Sequence, residues 1–344
     1  MIDEKKKRSR VGIKEIAELA NLSKTAVSYA LNGTGRLDEE TRARVIAIAE
    51  QHGYRANPFA RKLRGKSFGV LAVFASVPSS MSEVVANSDY FVRLWQGAVT
   101  CALARGYMLL LAPFGTGPDM LRNMPIDGGI VIDPVQNDPT LAHLNRNGLA
   151  AVTIGRDLQE TDGGALWIDS PHGELATRLF DLFEAQGARR VGAILSSPAY
   201  SYTLAVRDAY LAWTRARKQK PMLVEIESHP SESAGYEAAM QMLAAPSPPD
   251  AIFASLDRLA AGVFLAAQRR GIAVPEALMI AAGTDGTESR SAAVPITALD
   301  LKPEALGSTA VSKLIARLEG DEDAGDEMLT GDVLLRATTA RRSI

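Results

Sequence analysis

Two hydrophobic rhythms divide the chain. Between Ile13 and Ala49 the apolar positions recur three and four residues apart, the spacing of helices that each bury one stripe. In "IKEIAELA", Ile13, Ile16 and Leu19, with Ala17 and Ala20, fall on one side of a predicted helix, and Gly12 is an acceptable cap. Asn21 follows, a residue that tolerates left-handed backbone and suits a tight connection. Ser23 then caps a second predicted helix, in which Val27 and Leu31 point inward while Lys24, Thr25, Ser28 and Tyr29 are left on the other faces. A third is predicted over "LDEETRARVIAIAEQHG": Asp38 caps it, acids follow in its first turn, Val45, Ile48 and Ala49 are apolar, and Gly53 ends it. Three short helices with a turn of about three residues between the first two make a helix-turn-helix pattern.

From Phe68 onward the rhythm changes. "FGVLAVFA", "YMLLLAP", "GGIVIDP" and "AAVTIG" are short apolar runs separated by helical patterns such as "YFVRLWQGAVTCALARG". The alternation resumes with "ALWIDS", "RRVGAILSS", "MLVEIES", "DAIFASL" and "ALMIAAG". Repeated strand and helix units predict parallel sheets covered on both faces, and two sets of about five or six strands predict two subdomains. Ligands of such sheets sit outside the carboxyl ends of the strands, so the cleft between the subdomains is the expected site.

Charge sharpens this division. The chain has 344 residues and a formal net charge of -2, yet residues 1–66 hold 15 Lys/Arg against 8 Asp/Glu while the remainder is acidic. A basic head points to an anionic partner such as a phosphate backbone. With 47% hydrophobic and 23% charged residues the chain can build two or three ordinary cores. The single cysteine, Cys101, excludes an intramolecular disulfide, and "MIDEKKKRSR" has no apolar run behind its basic residues, so a reducing cytoplasm is expected rather than export. No uninterrupted run of about 18 apolar residues predicts a membrane span. His52, His143, His172 and His229 are scattered, which offers no metal-ligand spacing, and neither a metal nor another cofactor is expected.

An enzyme is not expected. "GTGPDM" lacks the third glycine of a dinucleotide fingerprint, and there is no Walker phosphate loop or "GxSxG" elbow. The alternatives are a head fused to a catalytic small-molecule domain, which turnover of a ligand would reveal, and a transport-type solute-binding protein, which would carry an export signal and no basic head.

"IKEIAELANLSKTAVSYALNG", followed by "LDEETRARVIAIAEQHGYRANPFARKLR", resembles the DNA-binding head of the lac-repressor (LacI/GalR) family of bacterial transcription regulators. The resemblance implies that residues 23–32 form a recognition helix in the major groove, with Lys24, Thr25, Ser28, Tyr29 and Asn32 as DNA-binding positions. Family members usually carry threonine and arginine where this chain has Ala26 and Tyr29, which predicts an unusual operator half-site. In "NPFARKLRG", Asn57 can cap a helix with Pro58 at its first position, and Ala60 and Leu63 lie three apart. The family's hinge helix folds on DNA and inserts a leucine into the minor groove; the matching residue is Leu63, with Asn57 and Ala60 beside it.

The rest of the chain resembles the family's effector domain, which is periplasmic-binding-protein-like (type I) with two Rossmann-like parallel-sheet subdomains. The expected division is a head at 1–56, a hinge helix and linker at 57–66, and an effector-binding and dimerisation domain at 67–344. Within it, the N-subdomain takes about 67–166 and 299–325, and the C-subdomain about 167–298 and 326–344. The resemblance makes Arg207 the cation and Asp285 the anion that hold a polar effector, with Asp257 near them. Tyr90, Phe91, Arg156, Ser201 and Thr203 fall at further pocket positions. Leu256-Asp257 replaces the usual Asn-Asp and "GTDG" the usual "GFDD", departures that put a standard sugar effector in doubt. The expected protein is a homodimeric repressor of a pseudo-palindromic double-stranded DNA operator, controlled by a sugar or other small polar metabolite, with no membrane partner.

Overall fold

The computed structural model describes residues 11–32, 34–54, 67–77, 88–112, 124–158, 165–196, 200–227, 229–321 and 325–340. The chain forms two units, Met1–Phe68 and Gly69–Ile344.

In the first unit, helices α1 (Ile13–Ala20), α2 (Lys24–Asn32) and α3 (Glu39–Gln51) bury Ile16, Ala17, Ala20, Val27, Ala30 and Val45 against one another. Their ends follow the sequence signals. Glu15 accepts the Gly12 N–H at 2.6 Å, Ser23 Oγ accepts the Ala26 N–H at 3.1 Å, and Asp38 accepts the Thr41 N–H at 2.7 Å. Asn21 takes φ 53, the left-handed turn expected of it. Two side chains depart from expectation. Leu19 is 52% exposed, because it lies about 60° around the helix from Ile16 on the side away from Ala17 and Ala20. Ser28 is buried, since the inward arc of α2 runs from Ala30 through Val27 to Ser28 and is wide enough to take a small residue. The expected hinge positions Asn57, Ala60 and Leu63, and the Asn32 side chain, lie outside what is described.

The second unit begins with β1 (Val70–Ala75), α4 (Asp89–Ala104), β2 (Met108–Leu111), β3 (Gly128–Ile132), α5 (Pro139–Arg146), β4 (Ala150–Ile154) and β5 (Leu166–Asp169). It continues with α6 (His172–Ala185), β6 (Val191–Leu195), α7 (Ser201–Ala216), β7 (Met222–Glu225), α8 (Glu232–Leu243), β8 (Ala251–Ala254), α9 (Asp257–Arg269), β9 (Met279–Ala282) and α10 (Thr287–Ser291). The last elements are β10 (Thr297–Asp300), α11 (Pro303–Leu318), β11 (Glu327–Met328) and β12 (Asp332–Leu334). Two six-stranded sheets result, ordered β11-β5-β4-β3-β1-β2 and β12-β10-β9-β8-β6-β7. All pairings are parallel except β10 with β12. The first sheet packs one face on α4 and α11 and the other on α5; the second packs on α6 and α7 and, behind, on α8 and α9. The close fit of α4 on α11 needs glycine on both helices. A Cβ on Gly97 would stand 2.0 Å from the Glu304 carbonyl oxygen, and one on Gly307 2.1 Å from that of Leu94.

The crossings between sheets fall a few residues beyond the expected 166, 298 and 325. β5 completes its ladder with β4, β10 with β9, and β11 with β5, before the chain changes sheet. Apolar runs announce a buried strand but carry no mark of which sheet it joins. The short β11 and β12 have no such run, and the second sheet's antiparallel edge strand therefore went unanticipated.

Candidate functional site

On the first unit, Ser23 and Lys24 open α2 and leave Lys24 and Thr25 on an exposed face. Tyr29 is 45% exposed, and its ring is seated by the following turn: at Gly35, φ +76, a Cβ would lie 2.6 Å from Tyr29 Cδ2. This face offers a cation, two hydroxyl groups and a fixed ring, the chemistry that contacts phosphates and base edges when a helix enters the major groove.

In the second unit the carboxyl ends of the two sheets face each other. Tyr200, ahead of α7, donates its hydroxyl to the Ser76 carbonyl beyond β1 at 3.4 Å. The Arg156 N–H beyond β4 reaches Ser201 Oγ at 3.2 Å, and Tyr90 packs against the cores of both sheets. Asp169, at the end of β5, organises one side. Its Oδ1 accepts the Ser170 N–H at 2.8 Å and lies 3.2 Å from His172 Nε2, while its Oδ2 lies 3.3 Å from Arg156 Nε. The Arg156 guanidinium sits 4.8 Å over the Trp167 ring. From the other side, Tyr202 stacks on Tyr200 at 5.8 Å, lies 5.7 Å from the His172 ring, and shares a 2.9 Å hydrogen bond with Ser196 Oγ.

Asp133 stands directly after β3, at the point where the chain has turned from one side of β1 to the other, the usual place for a ligand crevice. It adopts φ 49, and its N–H is held by the Ile154 carbonyl at 2.8 Å. Burial pushes its carboxyl up to about 7; the His172 charge opposes that shift and Asp169 reinforces it. Burial also raises Tyr90 far above the usual phenol value and Tyr202 to about 12, in both cases reinforced by Asp133. The tyrosines are therefore neutral hydroxyl groups facing acids.

Two family models match this chain in the order in which its two units occur. Residues 12–57 match the bacterial regulatory proteins of the lacI family, and residues 180–339 match a periplasmic binding protein-like domain. The chain carries a lacI-family DNA-binding domain ahead of a periplasmic binding protein-like domain. Among its relatives, the HTH-type transcriptional regulator RafR of Escherichia coli is 28% identical over 76% of this chain and 77% of its own. The HTH-type transcriptional repressor PurR of Pectobacterium carotovorum subsp. carotovorum (strain PC1) is 27% identical over 91% of this chain and 92% of its own. The fold is that of the lac repressor dimer solved with operator and the anti-inducer ONPF, at a TM-score of 0.79 and 19% identity, covering 97% of this chain and 100% of that one.

With a lacI-family head the chain is a DNA-binding transcription regulator, and its expected effector residues divide into two groups. Tyr90, Phe91, Arg156 and Ser201 lie together at the cleft: Phe91 meets Tyr90 edge-on at 5.5 Å and packs with Tyr200 and Tyr202. The others are engaged elsewhere. Thr203 is fully buried, with its hydroxyl 3.2 Å from Ser196 Oγ, so it supports the cleft wall instead of facing a ligand. Arg207 and Asp285 do not face each other as a free cation and anion. Arg207 lies 3.5 Å from Asp208 and 3.9 Å from Glu225, whereas both Asp285 oxygens are taken, by Arg290 at 3.0 Å and Arg336 at 2.7 Å. Asp257 is pushed up to about 7 by burial and by its hydrogen bond with Glu288, so the two carboxyls titrate as a pair.

Sequence reading missed Asp133, Asp169, His172, Tyr200 and Tyr202. For the two aspartates a signal was available, since "GGIVIDP" and "ALWIDS" place each at the carboxyl end of a predicted strand. Among the described residues no group of three or more His, Cys, Asp and Glu is set to hold a metal, and no helix is long and apolar enough to cross a membrane.

Proposed function

We propose that this regulator is a repressor that binds a pseudo-palindromic operator as a homodimer, and that a small polar molecule held between its two sheets sets its operator affinity. The observation that carries this reading is the cleft itself. Ser76, Asp133, Arg156 and Asp169 come from one sheet's carboxyl edge, and His172, Tyr200, Ser201 and Tyr202 come from the elements that pack on the other. A ligand touching both edges favours one degree of closure, and only such a difference in affinity between two states can shift DNA binding. The lac repressor dimer, bound to operator and an anti-inducer together, supports the pairing of the two ligands.

Dimerisation follows from geometry, because one head reads one half-site and a two-fold pair reads a palindrome. It is also supported by an uncovered apolar surface at the β2 edge of the first sheet. Met108 is 61%, Leu111 45% and Leu103 62% exposed there, and an exposed apolar edge strand calls for a covering partner. Lys24, Thr25 and Tyr29 are the base readers of this proposal, and the protein acts in the cytoplasm, where operator DNA lies.

The test is to select binding sites from random DNA with the purified protein, then to screen small polar molecules by thermal shift, since a bound ligand raises apparent stability by mass action. The expected result is a palindromic site and a stabilising molecule that changes affinity for it. A molecule that stabilises the protein and leaves operator affinity untouched would overturn effector control.

A further inference from the structure

We propose that Asp133 fixes the charge class of the molecule bound in the cleft, so that the site takes a neutral or cationic ligand that donates hydrogen bonds and rejects one bearing a carboxylate. This inference rests on reading the cleft as an effector site and concerns its selectivity.

Three observations carry it. First, among the described residues the cleft's nitrogen groups that could meet an anion are already engaged: Arg156 Nε and His172 Nε2 both lie against Asp169, at 3.3 and 3.2 Å. An incoming anion would have to compete with Asp169 for them. Second, Asp133 has no such compensation, since none of the described residues donates a hydrogen bond to its carboxylate. The charged and titratable groups around it are Asp169, His172, Tyr90, Tyr200 and Tyr202, of which only His172 can oppose its charge. A half-buried acceptor in that setting is stabilised by a donor from the ligand and penalised by a second anion.

Third, the carboxylate stands where both sheets meet. Gly155, φ +85, separates it from α7: a Cβ there would lie 3.0 Å from Asp133 Oδ1 and 3.7 Å from Ser201 Oγ. Only glycine lets the two polar groups, one from each sheet's side, approach the same point. The stacked Tyr200 and Tyr202 rings, with Phe91 packed against them, add an apolar wall suited to the face of a ring-shaped ligand. Among the described residues the site thus supplies acceptor oxygens, neutral hydroxyl groups and an aromatic surface, with no cation left over for a carboxylate.

The experiment uses matched probes on the full-length protein at about pH 8.5, where Asp133 is ionised: hexose, hexosamine and hexuronate of the same stereochemistry, in several stereochemical series, titrated calorimetrically. In at least one series the hexose or hexosamine binds, and its hexuronate binds roughly tenfold more weakly or worse, as expected for an added like charge in a partly desolvated site. In Asp133→Asn, an isosteric change that removes the charge, that gap shrinks to about threefold or less. Asp133→Ser is the second variant, with thermal melting as the check of folding, and the comparison on unaltered protein needs neither. A hexuronate that binds as tightly as its neutral counterpart, a gap unchanged by loss of the Asp133 charge, or no binding in any series each overturns the proposal. A hexuronate that binds best and still alters operator affinity removes this inference and leaves effector control standing. Neutral ligands that bind selectively without altering operator affinity do the reverse.

Discussion

Ser28 and Tyr29 are consecutive residues of α2 with opposite surroundings. One is buried in the helical core and the other exposed, its ring resting on Gly35. Asp133 is the residue whose setting has the clearest measurable consequence. Its carboxyl, near 4 in the unfolded chain, is pushed up to about 7 by burial, with His172 opposing and Asp169 adding to the shift. Between those values the folded protein retains a proton that the unfolded chain has released. The contribution to stability is therefore most favourable below about pH 4, falls as pH rises to about 7, and is flat beyond. Asp133→Asn is expected to flatten the decline of melting temperature between pH 4.5 and 7, leaving the similar contribution of Asp257 in place. A pH profile identical to that of the unaltered protein would show that the carboxyl ionises normally.

At the scale of elements, one guanidinium joins pieces of the two sheets' surroundings. Arg290 of α10 lies 2.9 Å from Asp89 at the start of α4 and 3.0 Å from Asp285 beyond β9. Its two amino groups serve the two acids separately, so one side chain spans the cleft. Because Arg290 is 41% exposed, solvent screens the pair, and Arg290→Ala and Asp89→Asn should each cost only about 1 kcal/mol. In a double-mutant cycle their effects are expected to overlap, and spin labels across the cleft should report a wider distance in either variant. Additive costs with an unchanged distance would mean that the bridge does not hold the cleft. The hinge segment supplies the second prediction at this scale. Leu63→Ala, which removes the proposed wedge, should weaken operator binding while the melting of the effector domain is unchanged.

For the whole molecule, the exposed β2 edge is the surface proposed to join two copies of the chain. Met108, Leu110 and Leu111 are exposed along one edge strand, with Leu103 and Val92 of α4 also exposed. Leu110→Lys together with Met108→Lys is expected to shift sedimentation from dimer toward monomer and to lower operator affinity by about tenfold or more, since two linked heads gain from their effective concentration. Sedimentation unchanged by both substitutions would place the dimer surface elsewhere.

The sequence by itself determined the three head helices and their caps, because Gly12, Ser23, Asp38 and Asn21 act within one turn of their own positions. It also determined nine of the strands as apolar runs, and through its motifs the match of its head to the lacI family, since these features are local in the chain. Only the tertiary structure decided which sheet β5, β10 and β11 join, and that Arg207 meets Glu225 while Asp285 is enclosed by Arg290 and Arg336. It alone brought Asp133, Asp169, His172 and Tyr202 to one cleft. Charge partners separated by scores of residues are set by how strands and helices cross, and no spacing along the chain encodes that distance. A motif could thus point to an aspartate as a binding residue, while the packing around it determined whether its charge was free to meet a ligand.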